Sequence, residues 1–356
     1  MRRNRGSAIS RRSLLGGTTA LASVLLAGGP AGAGTPAIPK LPQLTKVKVG
    51  SVRGSLTNAG VLVAAEKGYF RDSNLDIEFV PFAGIMDMVP VSATGQLDVG
   101  TCSPGAAFFN AVARGVNLRL VADCFTARPG FGSVNLMLRK DLADQIKSFA
   151  DLKGRTIALG ARSSVHEVML AEALKRGGLT LADARVMVVP FPEMNVAFAN
   201  KAIDAGIQIE PLVANAVATD VAVRWYGIDQ ILPNVVNTVF MFSEGFAARK
   251  DVAQAWVVAY LRGVRDYYDA IIMNKGGREE IIDLIAKYMT VKNRSAYAGV
   301  VFPGVDPNGA VNVASIQETL GFFRSIGAVK AEINLGPLVD QSFVQNASNL
   351  LGRYAT

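Results

Sequence analysis

From Lys46 onward the sequence switches repeatedly between two hydrophobic periods, and no other feature restricts the fold as strongly. "TKVKVGS" (45–51) puts Val47 and Val49 on one side with lysines between, the two-residue period of a strand. "NAGVLVAAEKGYF" (58–70) reads as a helix closed by Gly68. "LDIEFVPF" (75–82) is again a strand, and the helix expected near 85–94 contains Pro90, which should kink or shorten it. A strand at 97–101, a helix at 104–114 and a strand at 117–124 follow. Alternation of this kind predicts parallel sheets with helices on both faces.

The Gly- and Pro-rich "FTARPGFGSV" (125–134) interrupts the pattern and reads as a crossing between two lobes. A second alternation then begins, with strands at 154–160, 185–191 and 205–210 and helices at 164–176 and 193–203. "NTVFMFSE" (237–244) reads as the return crossing, and helices are expected at 250–273, 278–289 and near 338–352. A chain of 356 residues is long enough for two lobes with separate cores. The expected fold class is therefore α/β, two lobes joined by two crossover segments around a ligand cleft. Residues 46–125 and 240–356 would form the first lobe, residues 126–239 the second, and residues 34–45 a linker ahead of them.

Residues 1–33 have a different character. "SRRSLLGG" (10–17) is a twin-arginine core, followed by the modest apolar stretch "LASVLLAGG" (21–29) and the small-residue "AGA" (31–33). This reads as a signal for export to a periplasm and is a poor membrane span. The stretch holds five arginines and no acidic residue, so the net charge of +8 falls to +3 without it. A body at +3 with no basic run carries no case for nucleic acid. Cys102 and Cys124 close two expected neighbouring parallel strands, where a disulfide is possible but geometrically demanding and two buried thiols are the simpler reading. One histidine and two cysteines make a structural metal site improbable.

In open α/β sheets ligands sit at the carboxyl ends of strands, beside helix starts. That rule nominates the loops 51–58, 82–86, 101–105, 160–166, 191–194 and 210–211. These are also the places where the chain resembles a family. "AAEKGYFRDSNLDIEFVPF" (64–82), "GQLDVGTCSPGAAFFNAVARGVNLRLVA" (95–122) and "SFADLKGRTIALGARSSVHEVMLAEALKRGGL" (148–179) are similar to the solute-binding proteins of nitrate/sulfonate/taurine-type ABC importers and to the related binders of thiamine-pyrimidine precursors. The resemblance runs from about Lys46 to Arg265. It implies a type II periplasmic-binding-protein fold that closes on a small molecule and docks as a monomer on a membrane permease with its ATPase. It implies no cofactor.

Within the nominated loops, Arg53 is the charge best suited to pair with a carboxylate or sulfonate, unless it is a solvated surface arginine. Ser55, Gly84, Thr101 and Ser103 line the remaining turns of the first lobe, with Ser103 either capping helix 104–114 or facing a ligand. Ser164 and Glu167 fit a capping box, with Ser164 as cap. That role leaves Ser163, Ser164 and His166 available to contact a ligand from the second lobe, helped by the amides of a helix start. Arg128 lies in the expected hinge, where it touches ligand or ties the lobes, and Glu193 and Glu210 weigh against a purely anionic pocket. Phe82 and Phe191 are candidate aromatic walls.

A catalytic His166 needs a nucleophile and an orienting group, and no such motif is present. The first expectation is thus a periplasmic binding protein for a small, preferentially anionic organic ligand. The alternatives are a ligand-sensing partner of a membrane receptor and an enzyme of the pyrimidine-forming type on the same fold.

Overall fold

The computed structural model describes residues 38–52, 54–291 and 294–355. Arg53 and the twin-arginine stretch lie outside the described residues. Ten strands form two five-stranded sheets. In the first, β1 (Thr45–Val52), β2 (Leu75–Phe82), β3 (Val99–Cys102), β4 (Leu118–Thr126) and β10 (Val236–Ser243) stand in the order β2-β1-β3-β10-β4. In the second, β5 (Val134–Arg139), β6 (Thr156–Leu159), β7 (Arg185–Val188), β8 (Ala205–Ile209) and β9 (Ala222–Gly227) stand in the order β7-β6-β8-β5-β9.

Both faces of each sheet are covered by helices, which is why β3, β4, β5 and β10 are almost continuously apolar and buried. Helices Ala59–Glu66, Lys250–Tyr267 and Ser342–Leu351 cover one face of the first sheet, around Trp256, Tyr260 and Phe240. Helices Met88–Ala93, Ala106–Ala113 and Val313–Ser325 cover the other, around Phe108, Phe109 and Phe323. In the second lobe helix Val165–Arg176 packs on one face and helices Phe191–Ala199 and Leu212–Ala218 on the other. Pro90 stands in the first turn of its helix, Met88–Ala93, where no backbone N–H is required, and a 3-10 turn at Ile85–Asp87 leads into it.

Three expectations need correction. The sheets are mixed: β10 runs antiparallel to β3 and β4, and β5 antiparallel to β8 and β9. These are the two strands that carry the chain into a lobe after a crossing. The return crossing is therefore not 237–244, whose run of large apolar residues is the fully buried strand β10. The chain crosses between the lobes at 127–133 and 228–235, where Ala127 N–H donates to Val235 O and Asn234 N–H to Ala127 O, both near 2.9 Å. Finally, Cys102 and Cys124 are not on neighbouring strands, because β10 inserts between β3 and β4; both thiols are free and buried.

Among the described residues no helix is long and apolar enough to cross a membrane.

Candidate functional site

The carboxyl ends of β1, β2 and β3 face the loop after β6 and the start of β10 across a cavity of about 320 Å3. It is lined from the first lobe by 83–87 and Ser103, and from the second by Gly160, Ala161, Ser164, His166 and Pro190–Pro192. A smaller space of about 80 Å3 continues beside it, between Ser55–Thr57 of the first lobe and Ser133, Ile209 and Glu210 of the second. Gly84, Ile85, His166, Phe191 and Asn237 border both.

The start of helix Val165–Arg176 is shaped by a carboxylate. Glu167, itself buried, reaches back so that its Oε2 accepts the Ser163 N–H at 2.7 Å and its Oε1 accepts Arg162 Nη1 at 2.7 Å. Ser164 is the first residue outside the helix, but its hydroxyl donates to Ala161 O at 3.0 Å and does not cap the amides. The expected capping box is thus replaced by a glutamate that holds the preceding turn, one residue further back. Ser163 takes the left-handed conformation at φ 56°. This turns its carbonyl toward the first lobe, where it accepts Ala106 N–H at 2.9 Å. Ser163 therefore joins the lobes through its backbone and is not among the cavity residues.

His166 packs edge-on against Phe191, with ring centres 5.7 Å apart and planes at 70°. Loss of solvent around the imidazole pulls its pKa down to about 4, against the opposing pull of Asn237 beside it. The ring is neutral at pH 7, offering one N–H donor and one acceptor nitrogen. Ser55 caps the turn Leu56–Asn58, its Oγ accepting Thr57 N–H at 3.3 Å. Asp87 caps Gly84 N–H at 3.0 Å, fixing the loop after β2.

Glu210 sits at the floor with its side chain fully buried. It accepts Ala214 N–H at 3.0 Å, Val301 N–H at 3.1 Å and the guanidinium of Arg224. Burial raises its pKa despite those partners. The carboxylate is thus occupied in joining β9, helix Leu212–Ala218 and the segment near 300.

Three more nominated residues, Thr101, Arg128 and Glu193, stand away from the cavity. Thr101 turns into the first-lobe core, its hydroxyl 3.5 Å from Met88 Sδ. Arg128 pairs with Asp306 at 2.7 Å in the first crossing. Glu193 is exposed on its helix. Ser103 does not cap a helix, because the helix begins at Ala106 with Gly105 as its cap; its place is in the cavity wall. Phe191 lines the cavity, whereas Phe82 packs against the first-lobe core. The residue missed in the sequence is Asn237. It was hidden by reading its strand as a crossing; a lone asparagine opening a buried apolar run was the available signal.

Among the described residues the cavity lining holds no cysteine. Both cysteines are buried and their thiols pushed up by desolvation, far from the reactive thiolate range. Among the described residues no group of three His, Cys, Asp or Glu could hold a metal ion.

The architecture is that of the periplasmic binding proteins of ABC import systems. The alkanesulfonate-binding protein SsuA from Xanthomonas axonopodis pv. citri, solved bound to MOPS, superposes with a TM-score of 0.66 at 16% identity, over 85% of this chain and 100% of that one. The desulfurization enzyme DSZB has the same fold at a TM-score of 0.57 and 16% identity, over 85% of this chain and 99% of its own, so the fold alone does not separate binder from enzyme. A curated binding protein of Brucella abortus (strain 2308) is 26% identical over 253 residues, 69% of this chain and 72% of its own. The family described as NMT1/THI5 like matches residues 56–270, and the chain belongs to it.

Proposed function

We propose that the chain is a solute-binding protein of an ABC importer and that its ligand is a small, flat organic molecule enclosed between the lobes. The observation that carries this reading is the cavity itself. It stands at strand ends of both lobes, it has an aromatic wall at Phe191, and hydroxyls of Ser103 and Ser164 sit on its two sides. Its size is that of a pocket for one substituted ring. The relatives' descriptions as binding proteins favour the same reading. The enzyme alternative would need a nucleophile beside His166, and the neighbours of that ring are Phe191 and Asn237.

The described lining holds no lysine or arginine, and its two carboxylates are Asp87 and Glu210. A neutral ligand therefore suits it better than a sulfonate or carboxylate. The anionic reading rests on Arg53, which follows Val52 in the sequence and lies outside the described residues. Under this proposal residues 1–33 direct the chain to the periplasm, where it docks as a monomer on a permease with its ATPase.

Thermal unfolding tests the proposal, with neutral aromatic amides, aromatic carboxylates, sulfonates and nitrate added in turn to the wild-type chain and to Ala161→Trp. A ligand at a hundred times its Kd adds about 2.7 kcal/mol. Shifts seen in the wild type and lost when Trp fills the cavity support the reading. Shifts that survive Ala161→Trp contradict it.

A further inference from the structure

Between the turn Arg294–Gly299 and helix Val313–Ser325 the chain runs without helix or strand, and this stretch is tied to both lobes. In the first lobe, Phe302 and Val305 are buried in the core, Tyr267 Oη donates to Pro303 O at 2.6 Å, and Asp306 N–H donates to the buried Asp123 at 2.7 Å. From the second, Glu210 accepts Val301 N–H at 3.1 Å, and Arg224, its ion-pair partner, donates to Gly299 O at 2.6 Å. Midway, Gly304 lies along the first crossing. Its N–H donates to Phe131 O at 2.9 Å, and its O accepts Thr126 N–H at 3.0 Å. Arg128 of the same crossing pairs with Asp306.

The position of these contacts gives them a consequence. β4, which carries Asp123, and β9, which carries Arg224, are edge strands of their sheets. The stretch therefore runs from one lobe to the other beside the two crossings, which bond to each other through Ala127, Asn234 and Val235. A hinged rotation of the second lobe turns about those crossings. It would pull 299–301 off the anchors at 302–306, or draw Glu210 away from Val301 N–H. A fully buried carboxylate that loses a donor regains no water in exchange, so the rotation is opposed. The arrangement favoured is the one in which Ala106 N–H meets Ser163 O.

We infer that residues 299–306 are an interlobe strap, a third and non-covalent connection beside the two crossings, which holds the lobes together before any ligand enters. Gly304 shows how closely the strap lies on the hinge. A Cβ there would stand 2.5 Å from Thr126 O and 3.0 Å from Arg128 Cβ, although its φ lies outside the left-handed region. Alanine thus suits the backbone conformation and not the space.

The test measures the interlobe distance of the full chain without ligand. Spin labels at Asp76→Cys on β2 and Val188→Cys on β7, both exposed, sit on the edge strands opposite β4 and β9, where a hinged rotation moves them most. The native thiols are buried. Double electron–electron resonance on Gly304→Ala and on Arg224→Met, which release the strap at its middle and at its second-lobe end, should each show a longer mean distance or a second, longer population. Phe323→Leu, in the first-lobe core on the other face of the sheet, should lower the unfolding midpoint and leave the distance unchanged. Asp306→Asn, which keeps the N–H to Asp123 and discharges the Arg128 pair, stands in for a strap variant that does not fold.

Distances in both strap variants equal to wild type overturn the inference, as does a shorter distance, which would mean that the strap holds the lobes apart. A strap released at either place opens alike, so a shift confined to one of two folded variants overturns it too. The same lengthening in Phe323→Leu would reduce the effect to lost stability and overturns it. The readout needs no ligand, so failure of every compound to bind would defeat the proposed function and leave this test standing.

Discussion

The Ala106 amide of the first lobe donates to the Ser163 carbonyl of the second at 2.9 Å. The helix starts that flank the cleft are thereby joined directly, and Gly105 makes the approach possible. A Cβ at Gly105 would stand 2.4 Å from the Ser163 oxygen, closer than real side-chain contacts come. Gly105 itself has φ −95°, which any residue adopts. Gly105→Ala should therefore leave each lobe intact and disfavour the joined arrangement. The expected outcome is a ligand affinity lowered about tenfold to a hundredfold, roughly 1–3 kcal/mol. The unliganded midpoint should stay near wild type. Calorimetry with any ligand found by thermal unfolding checks the first part, and scanning calorimetry the second.

Glu210 ties three elements at the cavity floor, and its removal should be felt in stability before binding. Glu210→Ala leaves Arg224 with the Gly299 carbonyl as its remaining acceptor and strips Val301 and Ala214 of theirs. Arg224 keeps some contact with water. The cost should be about 3 kcal/mol, at the low end for breaking a buried pair. Urea unfolding of the variant against wild type measures it. A change below about 0.5 kcal/mol would show that the floor is not held by this carboxylate.

A second buried carboxylate lies at the end of β4, where the first crossing begins. Asp123 is fully buried; burial pushes its pKa up to about 7, even though Asp306 N–H donates to it at 2.7 Å and Thr126 Oγ1 stands at 2.8 Å. Asp306 adds repulsion and Arg128 attraction, while Tyr260 and Cys124 pack against the same place without charge. Between about pH 4 and 7 the folded chain binds this proton more readily than the unfolded chain does. Asp123 therefore contributes stability that is full at low pH and lost as pH rises toward 7. Asp123→Asn puts a neutral amide in place of the protonated acid, and its carbonyl oxygen can still accept from Thr126 Oγ1. Its stability relative to wild type should rise from pH 5 to pH 8 by a few kcal/mol at most. A flat difference would place the carboxyl pKa in the ordinary range.

His166 has the opposite sign. Its folded pKa of about 4 lies below the usual histidine value, so its contribution is present above about pH 6.5 and is lost as pH falls toward 4. His166→Gln should remove that loss, and the difference from wild type should grow only below pH 6.5. Ligand affinity of the wild type should not change between pH 7 and 8 on account of this ring. Unfolding midpoints of the two proteins across pH 4–8 check the expectation.

Much of this arrangement was legible in the chain. Strands such as "LDIEFVPF" and helices such as 164–176 announce themselves by period, and the rule of strand ends led to the loops holding Ser55, Gly84, Ser103, Ser164 and His166. What escaped was set by tertiary pairing. The run "VFMF" carries no period, because a strand covered on both faces needs none, and so β10 passed for a connection and Asn237 with it. The capping pattern at Ser164 has the right residues, yet Arg162 draws Glu167 toward the preceding turn. Thr101 and Arg128 occupy the right neighbourhoods, but β3 is turned so that Thr101 meets Met88, and Asp306 claims Arg128 from a segment far away in sequence.

The central claim is that ligand lies between the lobes against Phe191, His166 and Asn237. A crystal structure of the chain grown with a compound that raises its unfolding midpoint tests this most directly. The account predicts density for the compound in the cavity between Gly84 and Phe191, with Ala106 still hydrogen-bonded to Ser163. Density outside the cleft, for instance in the groove of about 360 Å3 between Val168, Asn234 and Glu318, with the cavity taking only water, would contradict it.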